Sequence, residues 1–359
     1  MKRVGILTSG GDCQGLNSAI RSVAKALYER FGEDIEIYGL RDGYHGLIEG
    51  DYRKMEPRDF SGILNVGGTI LGTSRQPFKR MQDLDDNNIS KVEKMKSTYK
   101  KMKLDCLVVL GGNGTHKTAN LLSQEGLNVI GLPKTIDNDI WGTDMTFGFH
   151  SALNVATDVI DRIHTTATSH GRVFIVEVMG HKVGWLTLYA GLAGGADVIL
   201  LPEIPYNIDS VVGLLKKREA IGKNFSIIAV AEGAISCEEA KMKKKEFKAH
   251  RAAMVQPSIA YRVADEIREK TGNSEIRVCV PGHFQRGGSP CPYDRVFTTR
   301  LGTSAAQLIY EEKYGYMVAL RKNEIVPVPL SEVAGKLKCV QPDSNEVITG
   351  RELGICFGD

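Results

Sequence analysis

The chain has 359 residues, 42% of them hydrophobic and 25% charged, with a formal net charge of +3 at pH 7. These are ordinary globular values, sufficient for one large domain or two of medium size, and so small a net charge gives no reason to expect nucleic acid or a membrane surface as partner. No uninterrupted apolar run approaches the ~18 residues that a bilayer span requires. The basic and then apolar start, Met1 to Leu7, breaks off at Thr8 into glycines. It is too short for the core of a signal peptide and reads as a first strand. The seven cysteines show no CxxC or CxxH spacing, and Cys106 and Cys279 lie in apolar strand-like runs. This predicts reduced, mostly buried thiols in a cytoplasmic protein.

In chain order, Arg3–Thr8 reads as a strand, followed by a Gly-rich turn and a helix over Leu16–Arg30 with helical apolar spacing. The design returns as a strand at Asp105–Leu110, the turn Gly111-Gly112-Asn113-Gly114 and a helix over Thr118–Gln124. A strand follows at Leu127–Leu132 and ends before Pro133. Arg172–Val178, Ala196–Leu201, Phe225–Ala231 and Ile276–Val280 are further strands rich in β-branched residues. Alternating β and α elements with unbroken apolar strands predict an α/β fold of mainly parallel sheets covered on both faces. In such sheets ligands bind beyond the carboxyl ends of the strands. The dense basic run Lys241–Lys248 reads as a solvated helix face or surface insertion.

Several segments at those strand ends carry chemistry. Thr8-Ser9-Gly10-Gly11-Asp12 joins the first strand to the first helix, where adjacent glycines let backbone N–H groups approach an anion. It lacks the Gly-Lys-Ser/Thr of a P-loop and is not GxGxxG, so a tight turn without a ligand explains it equally well. Gly111-Gly112-Asn113-Gly114-Thr115 repeats the arrangement, and the pair favours a phosphate-rich ligand. Pro133-Lys134-Thr135-Ile136-Asp137-Asn138-Asp139 is the most informative stretch. Two carboxylates two residues apart in an extended loop face the same side, one to accept a proton and one to hold Mg²⁺. A solvated Asx-turn is the plain alternative. His283 and Arg286, within Gly282-His283-Phe284-Gln285-Arg286-Gly287-Gly288, are spaced to converge on one anion. Gly72 to Arg80 reads as an exposed basic turn, with Arg75, Lys79 and Arg80 suited to a polyphosphate.

Taken with Gly67-Gly68-Thr69, Ser169-His170-Gly171-Arg172, Glu177-Val178-Met179-Gly180 and Ala193-Gly194-Gly195, these ordered segments resemble the 6-phosphofructokinases across most of the chain. The resemblance implies two Rossmann-like three-layer domains with the active site in the cleft between them. A donor domain would span 1–150 plus about 267–315, and a sugar-phosphate domain 151–266 plus about 316–359. It implies MgATP as donor and the 1-hydroxyl of fructose 6-phosphate as acceptor in glycolysis. Asp137 would be the general base, Asp139 a support for Mg²⁺ and the reacting phosphoryl group, and Thr135 a contact to the sugar or the transferred group. Gly10, Arg75, Arg80, Gly112, Asn113, Gly114, Thr115 and Lys134 would surround the donor, with Asn113 and Asp139 as metal ligands. Met179, Gly180, His181 and Glu232 would contact the sugar body, and His283, Arg286, Arg172 and Arg277 its 6-phosphate. In the family the last two arginines come from a neighbouring subunit, which implies a homo-oligomer, a homotetramer with shared active sites.

Four features depart from the common bacterial pattern. Asn113 replaces an aspartate at the metal, and His181 replaces an arginine that stabilises transition-state charge, for which Lys182 or Lys134 would compensate. Lys134 occurs in pyrophosphate-using relatives, whereas Gly114 matches the ATP-using form, in which the aspartate that would repel an α-phosphate is absent. Gly114 acts by exclusion and therefore weighs more. Lys25 and His164 replace effector-site arginines beside Arg21, which predicts weak regulation by nucleoside diphosphate or phosphoenolpyruvate. The rival readings are a pyrophosphate-dependent phosphotransferase, a kinase for another sugar phosphate such as sedoheptulose 7-phosphate, and a non-catalytic nucleotide- or sugar-phosphate-binding subunit.

Overall fold

The structure, a computed structural model, describes residues 1–256, 258–272 and 275–359. Its long-range pairings divide the chain into two units. Unit 1 comprises Met1–Ser151 and Arg286–Lys338, and unit 2 comprises Ala152–Gln285 and Cys339–Asp359.

Unit 1 is built on strands β1 (Lys2–Ser9), β2 (Ile35–Leu40), β3 (Tyr52–Met55), β4 (Cys106–Gly111), β5 (Val129–Thr135) and β6 (Phe147–Gly148). In unit 2 the chain forms β7 (Val173–Val178), β8 (Val198–Leu200), β9 (Ser226–Ala231) and β10 (Ile276–Cys279), then returns to unit 1 as β11 (Tyr316–Arg321) and β12 (Glu324–Pro329). The unit 1 sheet runs β12-β11-β5-β4-β1-β2-β3, with β6 beside β5, and is parallel except at its two edge pairs. The unit 2 sheet, β10-β7-β9-β8, is wholly parallel among the described residues. Every residue of β4, β5 and β9 is buried. Such strands need cover on both faces, which is why their sequences are dominated by apolar runs such as Val129 to Leu132 and Ile227 to Ala231.

The helices Leu16–Phe31 and Pro292–Tyr310 cover unit 1 together. A β-carbon on Gly302 would lie 2.6 Å from the Ser22 side chain, and Ser18 Oγ and Thr298 Oγ1 are 2.6 Å apart. The segment of unit 1 that returns thus runs from Arg286 to Lys338, later at both ends than the expected 267–315. Ile276–Cys279 pairs with β7 and so stays in unit 2, whereas Tyr316–Arg321 pairs with β5 and extends unit 1.

Two local readings also change. The helix after β4 begins at Asn113 rather than Thr118, so Asn113 and Gly114 form its first turn. β5 continues through Pro133 to Thr135 instead of ending at Leu132. Of the seven cysteines only Cys13 and Cys106 are buried, the other five being half-buried. Cys279 lies on the edge strand β10, which accounts for its partial exposure. Within the basic run, Lys244–Ala252 is a helix with no buried residue. Among the described residues no helix is long and apolar enough to cross a membrane.

Candidate active site

At the carboxyl end of β1 the chain turns through Gly10, whose φ of 87° is left-handed and suits glycine. The Gly72–Ser74 segment is fastened to this turn. Thr8 Oγ1 donates to Gly72 O (2.7 Å), Gly10 N–H to Ser74 O (3.1 Å) and Thr73 Oγ1 to Gly10 O (2.7 Å). Arg75 is thereby carried next to the turn, and both it and Arg80 are exposed. From β5 the Lys134 ammonium donates to Gly11 O, while Arg286 Nη1 donates to Asp12 O at 2.9 Å. Lys134 is buried, and burial pulls its ammonium below the ordinary lysine value. Cys13, Asp137 and Asp12 oppose that shift, and Arg286 adds to it.

The second turn lies beside the first. A β-carbon on Gly111 would fall 2.2 Å from Thr115 Oγ1, so glycine is required there. Gly114 meets nothing within 4 Å, so its lack of a side chain answers no packing need. Asn113 Nδ2 donates to Asp139 Oδ2 and to Asp139 O, both at 3.1 Å. Asn113 Oδ1 is buried and has no hydrogen-bond partner among the described residues. An unpaired buried acceptor beside a carboxylate is costly unless something fills it. This pair suits Mg²⁺, which binds through one or two protein oxygens and takes the rest from water and phosphates. Among the described residues no group of three or more His, Cys, Asp or Glu side chains is placed to hold a metal alone.

Between the turns, Thr135 Oγ1 accepts the Asp137 N–H at 3.0 Å, and Thr146 Oγ1 donates to Thr135 O at 2.8 Å. Asp137 follows the end of β5 by two residues. Unit 1 therefore gathers Gly10, Lys134, Thr135, Asp137, Asp139, Gly112, Asn113, Gly114, Thr115 and Arg286 on neighbouring strand ends.

Unit 2 holds the remaining residues in two places. After β7, Gly180 (φ 152°) and His181 (φ 54°) form a strained turn. The Gly180 and His181 N–H groups both donate to Glu232 Oε1, at 3.2 and 2.6 Å. Met179 N–H donates to Gln285 Oε1 at 3.1 Å, and Gln285 Nε2 donates to Gly282 O at 3.0 Å. This bond ties the Met179 turn to the helical turn Gly282–Arg286, which bears His283. Arg172 and Arg277 lie elsewhere, before β7 and early in β10, where Glu275 accepts from both at 2.6 and 3.3 Å. A six-residue strand is about 20 Å long, so these arginines sit at the opposite end of the sheet from Met179. Arg286, which follows His283 by three residues, donates to the Asp12 carbonyl of the first turn.

Sequence reasoning gave no role to Gln285, Thr146 or Lys338. Gln285 lay inside a segment already singled out, and its complete burial is what distinguishes it. Lys338 carried no signal, because its partners are about 200 positions away.

The phosphofructokinase family profile matches residues 3–309. An ATP-dependent 6-phosphofructokinase of Spirochaeta thermophila is 60% identical, over 99% of this chain and 97% of the relative. The chain belongs to the phosphofructokinase family. It is accordingly a transferase of the kinase type, and the two Rossmann-like units agree with solved members. Pichia pastoris phosphofructokinase in the T-state superposes with a TM-score of 0.79 at 32% identity, covering 92% of this chain and 35% of that one. A pyrophosphate-dependent phosphofructokinase of Nitrosospira multiformis gives a TM-score of 0.82 at 20% identity, covering 100% and 93%, which speaks to the fold alone.

Proposed function

We propose that the chain transfers the terminal phosphoryl group of ATP to the 1-hydroxyl of fructose 6-phosphate, giving fructose 1,6-bisphosphate and ADP in cytoplasmic glycolysis. The observation that carries this reading is the cluster at the end of β5: Asp137 oriented through Thr135, and Asp139 held by Asn113 beside two glycine turns. Asp137 takes the proton of the 1-hydroxyl as the oxygen attacks the terminal phosphorus, and the bond to ADP breaks. Gly10, Gly112, Thr115, Arg75 and Arg80 orient the polyphosphate and offset its charge, which is most of what phosphoryl transfer asks of a protein. Asp139 with Asn113 would hold Mg²⁺, which would neutralise charge on the donor's phosphates. Met179, Gly180, His181 and Glu232 take the sugar, and His283 and Arg286 its 6-phosphate.

The relative of 60% identity is named ATP-dependent, which supports ATP as the donor. The sequence feature that favoured pyrophosphate, Lys134, is buried and engaged with Gly11 O. That structural task explains the lysine without a different donor. Arg172 and Arg277, at the far end of their sheet from the sugar residues, support a homotetramer in which they serve a neighbour's site. The deciding experiment follows fructose 1,6-bisphosphate formation with Mg²⁺ and either ATP or pyrophosphate, using Asp137→Ala as the blank. Turnover with pyrophosphate alone would overturn the donor, and turnover in the blank would overturn the base.

A further inference from the structure

The loop that carries the two carboxylates is held from a distant part of the chain. Asn138, between Asp137 and Asp139, is buried with φ 54°, a left-handed conformation that asparagine tolerates better than most residues. Its Oδ1 accepts from Thr146 N–H at 3.1 Å and from Lys338 Nζ at 2.9 Å. The same ammonium donates to Thr143 O at 3.0 Å and Asp144 O at 2.9 Å. An ammonium has three hydrogens to donate, and all three of these acceptors lie between Asn138 and Asp144. Lys338 N–H donates to Asp139 O at 2.9 Å, and the preceding Leu337 forms an antiparallel bridge with Ile140. Lys338 thus grips the loop by side chain and backbone together.

We propose that Lys338 is a positioning residue for phosphoryl transfer, its ammonium locking the loop from Asn138 to Asp144 so that Asp137 and Asp139 are presented in one fixed orientation. The inference rests on the kinase reading above. Those three carbonyl and amide oxygens all belong to the loop, and the nearby Asp144 and Asp139 carboxylates attract the ammonium as well, so its hold falls on the loop that carries Asp139. Without it, the left-handed Asn138 keeps only Thr146 of these two donors. A misplacement of about 1 Å at reacting groups can cost on the order of 10²-fold in rate.

The test compares wild type, Lys338→Met, Lys338→Gln, Asn138→Ala and the Met/Ala double variant with MgATP and fructose 6-phosphate, with folding followed by circular dichroism. The expected result for Lys338→Met is a kcat about 10- to 100-fold lower, with both KM values within about threefold of wild type. Lys338→Gln, which keeps an N–H donor, should fall between Met and wild type. The double variant should be no slower than the worse single one, because both break one network. A folded Lys338→Met with wild-type kcat, or single losses that multiply in full, would overturn the inference. Failure of both Lys338 variants to fold would overturn it equally, leaving a residue needed only for structure. A wild type inactive towards fructose 6-phosphate would overturn the kinase reading, and this inference with it.

Discussion

Gly114→Asp separates the needs of the fold from those of the donor. Gly114 is the second residue of the helix Asn113–Gln124, whose first turn carries no acidic residue, and a side chain there would meet nothing within 4 Å. A carboxylate in that turn gains roughly 0.3–1 kcal/mol from the helix dipole. Replacing a helical glycine by aspartate adds about 0.3 kcal/mol. The variant should therefore be at least as stable as wild type, with a Tm up to about 4 °C higher. Catalysis should move the other way. A new negative charge about 4 Å from a nucleotide phosphate, at an effective dielectric near 20, costs about 4 kcal/mol, or roughly 10³-fold. The assay is kcat/KM for ATP at saturating fructose 6-phosphate, beside a thermal melt. An unchanged kcat/KM for ATP in a folded variant would refute the claim that Gly114 is glycine for the sake of the donor. A large fall in Tm would refute the packing argument.

Two further predictions concern stability and assembly. His116 is fully buried, and burial pushes its pKa down to about 4, with Lys134 adding to the shift and the Gly112 carbonyl opposing it. The neutral ring stabilises the fold above pH 6.5, the unfolded value, and that contribution is lost as the pH falls towards 4. The gap between 6.5 and 4 corresponds to an upper bound of about 3 kcal/mol. Urea melts of wild type and His116→Gln should therefore converge below pH 5; a difference independent of pH would count against this account. If Arg277 serves a neighbouring subunit, Arg277→Ala and Asp137→Ala should each be nearly inactive alone yet recover measurable activity when co-expressed, because mixed oligomers regain an intact site. Absence of recovery in mixed oligomers confirmed by mass spectrometry would contradict the shared site.

The central strands are legible because each contains a buried apolar run: Val4 to Leu7 in β1, Cys106 to Leu110 in β4 and Val129 to Leu132 in β5. The turns at their ends were legible because glycine is required at Gly10 and Gly111 for conformational and steric reasons. The start of the helix after β4 was missed because Gly112-Asn113-Gly114 spells a turn, although a helix N-terminus tolerates those residues where its N–H groups face a ligand. Pro133 reads as a stop in the sequence, yet it ends only the pairing with Gly111, where the missing N–H is tolerated, and the strand runs on to Thr135. The ends of the two units differ from the expected bounds because β10 and β11 are assigned by which strand they pair with. Short apolar runs do not encode that choice. The hold of Lys338 on the catalytic loop was illegible for the same reason, being a contact across some 200 residues.

The central claim is that Asp137, oriented through Thr135 at the end of β5, is the base for phosphoryl transfer from ATP to fructose 6-phosphate. The most direct measurement is kcat for wild type and Asp137→Asn, a change that preserves size and backbone contacts, with Mg²⁺, ATP and fructose 6-phosphate. The account predicts a loss of about 10²- to 10⁴-fold in kcat with both KM values little altered. A variant that retains wild-type kcat would contradict it.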